Sequence, residues 1–297
     1  MKNQYFGDIG DYGKYGMLRY LAENNIKIAI NWYLTEDDGS NDGKHISYLD
    51  NDKDMKYDPE LFEILKELVK NNKRNIYEIQ KMNVIKHATY YNELINNTGE
   101  NKSEKRQSRE NWHQKALDSC KDAELVFLDP DNGCCENEPL NAKDTTKYCY
   151  SDEVADYYNR GQDVVYYCQK GRRTYAQWEE TKSIMKRCIP DARIAAITFH
   201  RGTQTTYIFV LHREKYRMYA EIMKKFLRKW DKIFTEEYGQ NGNWSGEKTG
   251  ERFKVSNSKG IELLIEERDD GWVDIRFSDR GNSYVRMSID DFMRRLR

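Results

Sequence analysis

The sequence has few of the residues that mark secreted, membrane or zinc-binding proteins. Its 297 residues include only four prolines and six cysteines. The cysteines are scattered and form no C-x-x-C pair, which excludes a zinc or redox site built on that motif. No apolar run approaches the length of a membrane span, and the first residues lack the apolar core of a signal peptide. We therefore expect a cytoplasmic protein without a membrane partner, and we predict no metal site.

An excess of charge of either sign is also missing. The chain has 49 lysines and arginines against 50 aspartates and glutamates, a formal net charge of −1. This balance excludes a globally basic nucleic-acid binder but not a protein with a local basic groove. Charged residues make up 33% of the chain, which predicts a heavily solvated surface. The length is enough for a substantial core in one large domain or two smaller ones.

The most apolar run, residues 125–128, ends abruptly in acid, proline and glycine at residues 129–133. The run predicts a buried parallel strand, and the next five residues predict a turn at its carboxyl end, where open α/β sheets place their ligands. Asp129 is therefore our first candidate for a catalytic carboxylate, with Asp131 and Asn132 beside it. The alternative is a turn without further function, because each of these residues favours turns.

Residues 5–22 open with glycines and acids and continue with helical apolar spacing. This pattern predicts a loop that leads into a helix. Gly10, Gly13 and Gly16 would each cost roughly 1 kcal/mol within a helix relative to alanine. We expect close approach of the backbone to a ligand to explain these glycines. A flexible start to the chain is the alternative.

Predicted strands and helices alternate through the first 238 residues. The alternation predicts an α/β fold with a doubly wound, mostly parallel, Rossmann-like sheet. Residues 96–112 interrupt it, because they are polar and have almost nothing to bury. We expect an exposed loop there, whose basic residues, Arg109 among them, contact a nucleic-acid backbone or simply form a solvated surface.

The composition changes at residues 239–246, which are rich in glycine and asparagine and predict a linker. Beyond it, four short β patterns broken by turn residues predict an antiparallel meander, followed by a helix over residues 288–296. We therefore predict two domains, an α/β domain over residues 1–238 and a small β-rich appendage over residues 239–297. The sequence does not specify the role of the appendage.

Three segments of the chain resemble motifs of a known family, the RlmJ-type large-subunit ribosomal RNA adenine-N6 methyltransferases, which belong to the S-adenosylmethionine-dependent amino methyltransferases. Residues 6–15 are similar to the family's first motif in the spacing of glycine, acid and lysine. Residues 129–132 are similar to its catalytic tetrapeptide, Asp-Pro-Pro-Tyr. Residues 170–173 are similar to its basic turn after the next strand. The order of elements resembles the family over residues 5–212.

The resemblance implies a methyltransferase-like fold and S-adenosylmethionine as cofactor. It implies that Asp129 orients an amine, that Asp131 and Asn132 belong to the catalytic turn, and that Lys14 holds cofactor or base. The residues that it places at the cofactor are Asp8, Asp11, Asp37, Asp38 and Gly39. The residues that it places at nucleic acid, by stacking on a base or binding phosphates, are Tyr12, Tyr15, Lys170, Arg172 and Arg173.

Two departures from the family pattern stand out. Asn132 replaces the aromatic residue that stacks on the flipped base, a loss of about 1 to 3 kcal/mol per base. Another aromatic residue must then stack, and Tyr5, Tyr12 and Tyr15 are the candidates. The loop over residues 36–43, here called the acidic loop, carries four acids in place of a glycine-rich sequence with one acid. These acids would repel the carboxylate of S-adenosylmethionine unless Lys14 or Lys44 compensates.

The leading hypothesis is an enzyme that acts on a base flipped out of DNA or RNA by methyl transfer to an exocyclic amine. The alternative is a cofactor-free DNA glycosylase, directed at modified bases in antiphage defence. In it Asp129 or Asp131 would activate water or stabilise an oxocarbenium ion, and the acidic loop would bind sugar hydroxyls. A metal-dependent nuclease using Asp129 and Lys170, and a non-catalytic nucleic-acid-binding module, are further alternatives. The oligomeric state is not predicted.

Overall fold

The computed structural model describes residues 1–40, 43–95, 98–136, 142–171, 173–237, 248–256, 262–268, 272–277 and 284–288. The chain divides into two compact units, Met1–Gly242 and Asn243–Arg297. The domain boundary predicted at residues 238 and 239 lies outside the described residues, as does all but the first residue of the predicted final helix.

The helices and strands of the described residues are as follows. The α-helices are α1 Ile9–Glu23, α2 Pro59–Lys70, α3 Ile76–Lys81, α4 Lys102–Ser119, α5 Ser151–Asn159, α6 Tyr175–Cys188 and α7 Arg213–Lys229. The strands of the first unit are β1 Ile28–Asn31, β2 Thr89–Tyr91, β3 Leu125–Leu128, β4 Gly133–Cys135, β5 Tyr148–Tyr150, β6 Asp163–Gln169, β7 Arg193–Phe199, β8 Thr205–Leu211 and β9 Phe234–Glu236. Those of the second unit are β10 Lys248–Ser256, β11 Glu262–Arg268, β12 Trp272–Phe277 and β13 Tyr284–Ser288. None of the described helices is long and apolar enough to cross a membrane.

The large sheet contains seven strands in the order β2-β1-β3-β6-β8-β7-β9. Strands β2, β1, β3 and β6 pair in parallel. Strand β8 runs antiparallel to both of its neighbours, and the edge strand β9 runs antiparallel to β7. Residues 200–204 form the hairpin turn between β7 and β8. The second unit holds an antiparallel sheet in the order β10-β11-β12-β13. The predicted α/β class is therefore confirmed, with a large, mostly parallel sheet and a small antiparallel one.

Helices pack on both faces of the large sheet, with α1, α2 and α7 together on one side and α4, α5 and α6 together on the other. Along β3, Val126 and Leu128 belong to the core cluster on the side of α4, α5 and α6. Leu125 and Phe127, which alternate with them along the strand, are equally buried on the opposite face. Burial on both faces explains why this strand is apolar at every position.

Residues 102–112, within the segment predicted as an exposed loop, begin helix α4 instead. The side chain of Asn101 caps the helix by accepting the backbone N–H of Glu104. One stripe of the helix is buried, at helical spacing: Arg109, Trp112, His113 and Ala116. The Arg109 guanidinium donates to the Glu153 carboxylate at 2.6 and 2.9 Å. The predicted nucleic-acid contact of Arg109 is therefore wrong, because an arginine buried in an ion pair is indistinguishable in sequence from a solvated one.

Close packing, against the sheet at Gly13 and against the end of α7 at Gly16, explains two of the three glycines in α1. A Cβ at Gly13 would lie 2.7 Å from the ring of Phe199. A Cβ at Gly16 would overlap the ring of Trp230, the residue that ends α7. The expectation that a ligand requires these glycines was wrong for both positions. Helix α1 instead approaches its neighbours closely enough to hold its first turn at the sheet edge.

The strand order reverses beside β1. The chain passes from β1 to β2 on one side, and β3 then lies on the other side of β1. Open α/β sheets bind ligands in the crevice outside the carboxyl ends of the strands at such a reversal. The residues that follow β1 and β3 therefore lie where a site is expected.

Candidate active site

A cavity of about 460 Å³ lies at this edge of the large sheet. Its lining includes Asp8, Asp11 and Lys14 from the α1 segment and residues 129–132 from the turn after β3. Strands β6 and β8 also contribute to the lining. A cavity of this size suits a ligand about as large as a nucleoside. The structure thus brings together the two motifs, residues 6–15 and 129–132, that are far apart in the sequence.

Lys14 forms the centre of the site with two carboxylates. Its Nζ lies 2.9 Å from Asp11 Oδ1 and 2.7 Å from Asp129 Oδ2, and all three residues are buried. Burial lowers the pKa of Lys14. The negative charges of Asp11 and Asp129 raise it by more, so that the pKa lies well above its usual range. Burial raises the pKa of Asp129, while Lys14 opposes that rise. Lys14 is therefore an ammonium ion at neutral pH and fixes the Asp129 side chain.

The strands fix the direction of Asp129. Its N–H donates to the carbonyl of Asn31 at 3.0 Å, which extends the pairing of β1 and β3 by one residue. The preceding residue, Leu128, points into the core cluster on the side of α4, α5 and α6. Because side chains alternate along a strand, Asp129 points to the opposite face, where α1 carries Lys14.

Three oxygen atoms beside Asp129 converge on one amino group, the α-amino group of Met1. The nitrogen lies 3.1 Å from the carbonyl oxygen of Tyr33, 3.1 Å from that of Asp129 and 2.9 Å from Asp131 Oδ1. We call these three oxygens the amine cradle. Met1 is buried, so the contacts form away from bulk water. The cradle can hold an amino group by accepting its N–H bonds from fixed directions.

Asp8 caps helix α1 at the wall of the cavity. Its Oδ1 accepts the N–H of Asp11 at 2.9 Å. Burial, together with the negative charge of Asp11, raises the pKa of Asp8 to about 7. A carboxyl group that titrates near neutral pH can take up or release a proton during a reaction. Asp8, predicted from sequence as a cofactor contact, is therefore also a candidate general acid or base.

The acidic loop is bound to the N-terminal segment. Asp38 accepts from Lys2 Nζ at 2.5 Å, and Asp37 accepts the N–H of Gln4 at 3.0 Å. Asp38 contributes to the cavity lining. Gly39 is exposed, and its φ of +67° is a left-handed backbone conformation that favours glycine, so its predicted contact with a cofactor stays a prediction. Asp42 lies outside the described residues.

The tyrosines of α1 do not face the cavity. Tyr12 and Tyr15 are both 0% exposed. The Tyr12 hydroxyl donates to the carbonyl of Asp54 at 2.8 Å, and the Tyr15 hydroxyl donates to Asp11 Oδ2 at 3.2 Å. Their predicted role of stacking on a base is therefore wrong, because helix burial hides both rings. Tyr5, the third candidate, does line the cavity.

Arg173 stabilises the basic turn after β6 through contacts within the turn. The Arg173 guanidinium donates to the carbonyls of Gln169 and Lys170. The ammonium of Lys170 lies 5.9 Å from the centroid of the Trp178 ring. Both basic residues are half-buried, and Arg172 lies outside the described residues. Phosphate binding by this turn stays a prediction.

Sequence reasoning missed Lys147, which lines the cavity. It ends a 3-10 helix, Ala142–Lys147, and its carbonyl accepts the N–H of Asn132 at 2.8 Å. This backbone contact fixes the turn after β3 and brings Lys147 to a cavity that Lys2, Lys14 and Lys44 also line. No motif surrounds Lys147 in the sequence, so only the three-dimensional structure reveals its position.

The lining contains both acids and lysines, and the predicted cofactor S-adenosylmethionine carries an ammonium, a sulfonium and a carboxylate. Asp8 would suit one of the cations, and Lys44 and Lys147 would suit the carboxylate, whereas both oxygens of Asp11 are already bound within the protein. The segment after β1 differs from a glycine-rich cofactor loop, because residues 32–34 are bulky and buried. The cofactor would therefore be held by the first turn of α1 and the turn after β3.

Comparison with protein-family models and with curated protein sequences finds no match for this chain. The resemblance of residues 6–15 and 129–132 to the RlmJ-type methyltransferases therefore remains a prediction, and the function has to be argued from the cavity itself.

Proposed function

We propose that the protein is an enzyme that acts on an amino-bearing base of DNA or RNA and transfers a methyl group to the amino nitrogen. The observation that carries this proposal is the amine cradle, where three oxygens already hold an amino group at 2.9 to 3.1 Å. The Met1 nitrogen would have to leave the cradle before the exocyclic amine of a base could take its position.

The residues of the cavity have distinct roles in this proposal. The carbonyl of Asp129 and the carboxylate of Asp131 accept the two N–H bonds of the amine, which orients its nitrogen and increases its electron density. Lys14 keeps Asp129 in place. The proton that the amine releases would pass first to Asp131, which accepts that N–H bond, and then to Asp8 at the wall of the same cavity. S-adenosylmethionine supplies an electrophilic methyl group when bound.

The fold and the charges at the cavity support a nucleic-acid partner. Helices on both faces of the sheet and the strand reversal at β1 favour a Rossmann-like, methyltransferase-like architecture. The cradle is buried, so a base has to leave its stack to reach it. Lys170 and Arg173, on the turn after β6, would contact phosphates on either side of the flipped nucleotide.

A second candidate is hydrolysis of the bond between a base and its sugar, without a cofactor. The pKa of Asp8, about 7, favours it, because a leaving base needs a proton at neutral pH. Asp8 would protonate the departing base as the bond from its nitrogen to C1′ breaks. Water would bond to C1′ and give its proton to Asp131, whose charge also stabilises the oxocarbenium ion.

One experiment tests both candidates. The full chain is incubated with oligonucleotides that contain or lack amino-bearing bases, with and without S-adenosylmethionine labelled in the methyl group. Label in the amino-bearing strands supports methyl transfer, and free base released without cofactor supports hydrolysis. Asp131→Asn should reduce either activity by at least about tenfold, the loss expected for about 1.4 kcal/mol of binding. Asp122→Asn, a change at an exposed aspartate outside the cavity, is the matched control. If neither product forms from any amino-bearing strand, the proposed function is refuted.

A further inference from the structure

We propose that the ring of the substrate stacks on the side chain of Tyr167. The ligand class is therefore a compound with a planar heteroaromatic ring and an exocyclic amine. This inference rests on the proposed function and adds a binding residue to it. Asn132 stands where the resembling family has a stacking aromatic residue, and the strands bring Tyr167 to the same cavity instead.

The register of the sheet places Tyr167 beside Asp129. Strands β3 and β6 are parallel, and Leu128 pairs with Tyr166. The next residues, Asp129 and Tyr167, are therefore neighbours at the carboxyl ends of the two strands, about 4.8 Å apart along the direction of the hydrogen bonds. Leu128 and Tyr166 both point into the core cluster. Asp129 and Tyr167 accordingly point to the other face, toward α1 and the cavity.

Tyr167 is held in place by its neighbours and lines the cavity. It is half-buried, in contrast to the fully buried Tyr166 before it. The ring of Tyr207 meets it at an interplanar angle of 79° with centroids 6.3 Å apart, so these two rings do not stack on each other. Thr205 Oγ1 donates to the Tyr167 hydroxyl at 3.4 Å, which restrains the far end of the side chain.

Lys14 lies close both to the Tyr167 ring and to Asp129. Its Nζ lies 2.7 Å from Asp129 Oδ2 and 5.9 Å from the centroid of the Tyr167 ring. A ring stacked on Tyr167 would therefore lie near Asp129, whose carbonyl is part of the amine cradle. Tyr5, the other tyrosine of the lining, lies in a 3-10 turn, with the Lys2 ammonium 5.4 Å from the centroid of its ring. Tyr167 is the better-positioned residue, because a central strand fixes it next to Asp129.

The test uses 2-aminopurine riboside, a fluorescent base with an exocyclic amine, and the full chain. Stacking on an aromatic ring quenches its fluorescence, so the wild-type protein should bind the ligand and quench it. Tyr167→Leu should weaken binding by about 5- to 150-fold, the equivalent of the stacking contribution of one base. Tyr167→Phe keeps the ring and should stay within about threefold of the wild type. Tyr77→Leu, at a tyrosine that is 48% exposed on α3, is the matched control.

The outcomes separate this inference from the proposed function. Binding by the wild type without quenching, or unchanged binding by Tyr167→Leu, overturns the role of Tyr167. In that case, loss of binding in Asp131→Asn still supports the amine cradle. Purine riboside, which lacks the amine, should bind more weakly than 2-aminopurine riboside. Equal binding of the two ligands contradicts the cradle and hence the proposed function. The unfolding temperature of each variant shows whether it is folded, and quenching in the wild type tests the stacking without any substitution.

Discussion

Methionine in place of Lys14 would nearly preserve the length of the side chain and remove its charge. Asp11 and Asp129, which are 2% and 3% exposed, would then lose the ammonium that lies 2.9 and 2.7 Å away. Removing one partner of a buried ion pair typically costs about 3 to 5 kcal/mol. In a domain of this size, about 1 kcal/mol shifts the unfolding temperature by about 2 to 4 °C. We therefore expect Lys14→Met to lower the unfolding temperature by about 6 to 20 °C at neutral pH.

The loss of stability in Lys14→Met should become smaller as the pH falls. Burial already raises the pKa of Asp129, and the variant removes Lys14, the largest opposing influence. A carboxyl group whose pKa is raised by folding binds its proton more tightly in the folded state. Its stabilising contribution is thus complete below the unfolded pKa and is lost as the pH rises through the folded value. Lys14→Met should therefore regain part of its stability as the pH falls from about 8 to about 5.

Thermal unfolding followed by circular dichroism across this pH range measures both effects. Lys115→Met, at a lysine whose side chain is 64% exposed and paired with Glu93, is the control and should cost less than about 1 kcal/mol. Adding Asp129→Asn to Lys14→Met should restore part of the loss, because one of the unpaired charges is gone. An unfolding temperature for Lys14→Met within about 2 °C of the wild type, at neutral pH, would refute the argument that Lys14 neutralises buried acids.

Three further predictions concern other parts of the first unit. Arg109→Met should destabilise the protein by about 3 to 5 kcal/mol in urea denaturation. Arg106→Met, at a side chain that is 79% exposed, should change stability by less than about 1 kcal/mol. Equal effects of the two substitutions would contradict the burial of Arg109. The rate of methyl transfer should rise with pH through an inflection near 7, as Asp8 loses its proton. Asp8→Asn should abolish that inflection in the pH–rate profile. An unchanged profile would exclude Asp8 as the base. Gly16→Ala should lower stability by about 1 to 3 kcal/mol, because the new methyl group would overlap the ring of Trp230; a neutral effect on the unfolding temperature would show that the ring can move.

The sequence was informative where local pattern and burial coincide. Residues 125–128 are apolar at every position because β3 is covered on both faces, and the turn residues after them mark its end. Residues 5–22 correctly indicated a loop that leads into a helix, which begins at Ile9. The distance between Lys14 and Asp129 depends on the crossing of α1 over the sheet, which no local pattern encodes. The resemblance to a family placed both residues at one site, and the structure shows that they form an ion pair at 2.7 Å.

Other features were hidden because they depend on long-range contacts. Arg109 is buried only because Glu153, on a different helix, supplies its charge partner. Tyr12 and Tyr15 seemed available for stacking because glycines and acids surround them, yet helix packing covers both rings. The reversed direction of β8 was also invisible, because an apolar β pattern does not specify parallel or antiparallel pairing.

That reversed direction determines which part of β8 meets the cavity. Since β8 runs against β6, its first residue, rather than its last, shares the edge where β1, β3 and β6 end. The hairpin turn over residues 200–204 thus reaches the rim, where Thr203 joins the lining. Gly202 packs against Ile9, and Arg201 pairs with Asp54, so both anchor the turn. Turns of this kind tolerate changes in length and composition better than the strands that they join. Selectivity toward different ligands can therefore diversify at residues 203 and 204 while the buried charges beneath them stay the same.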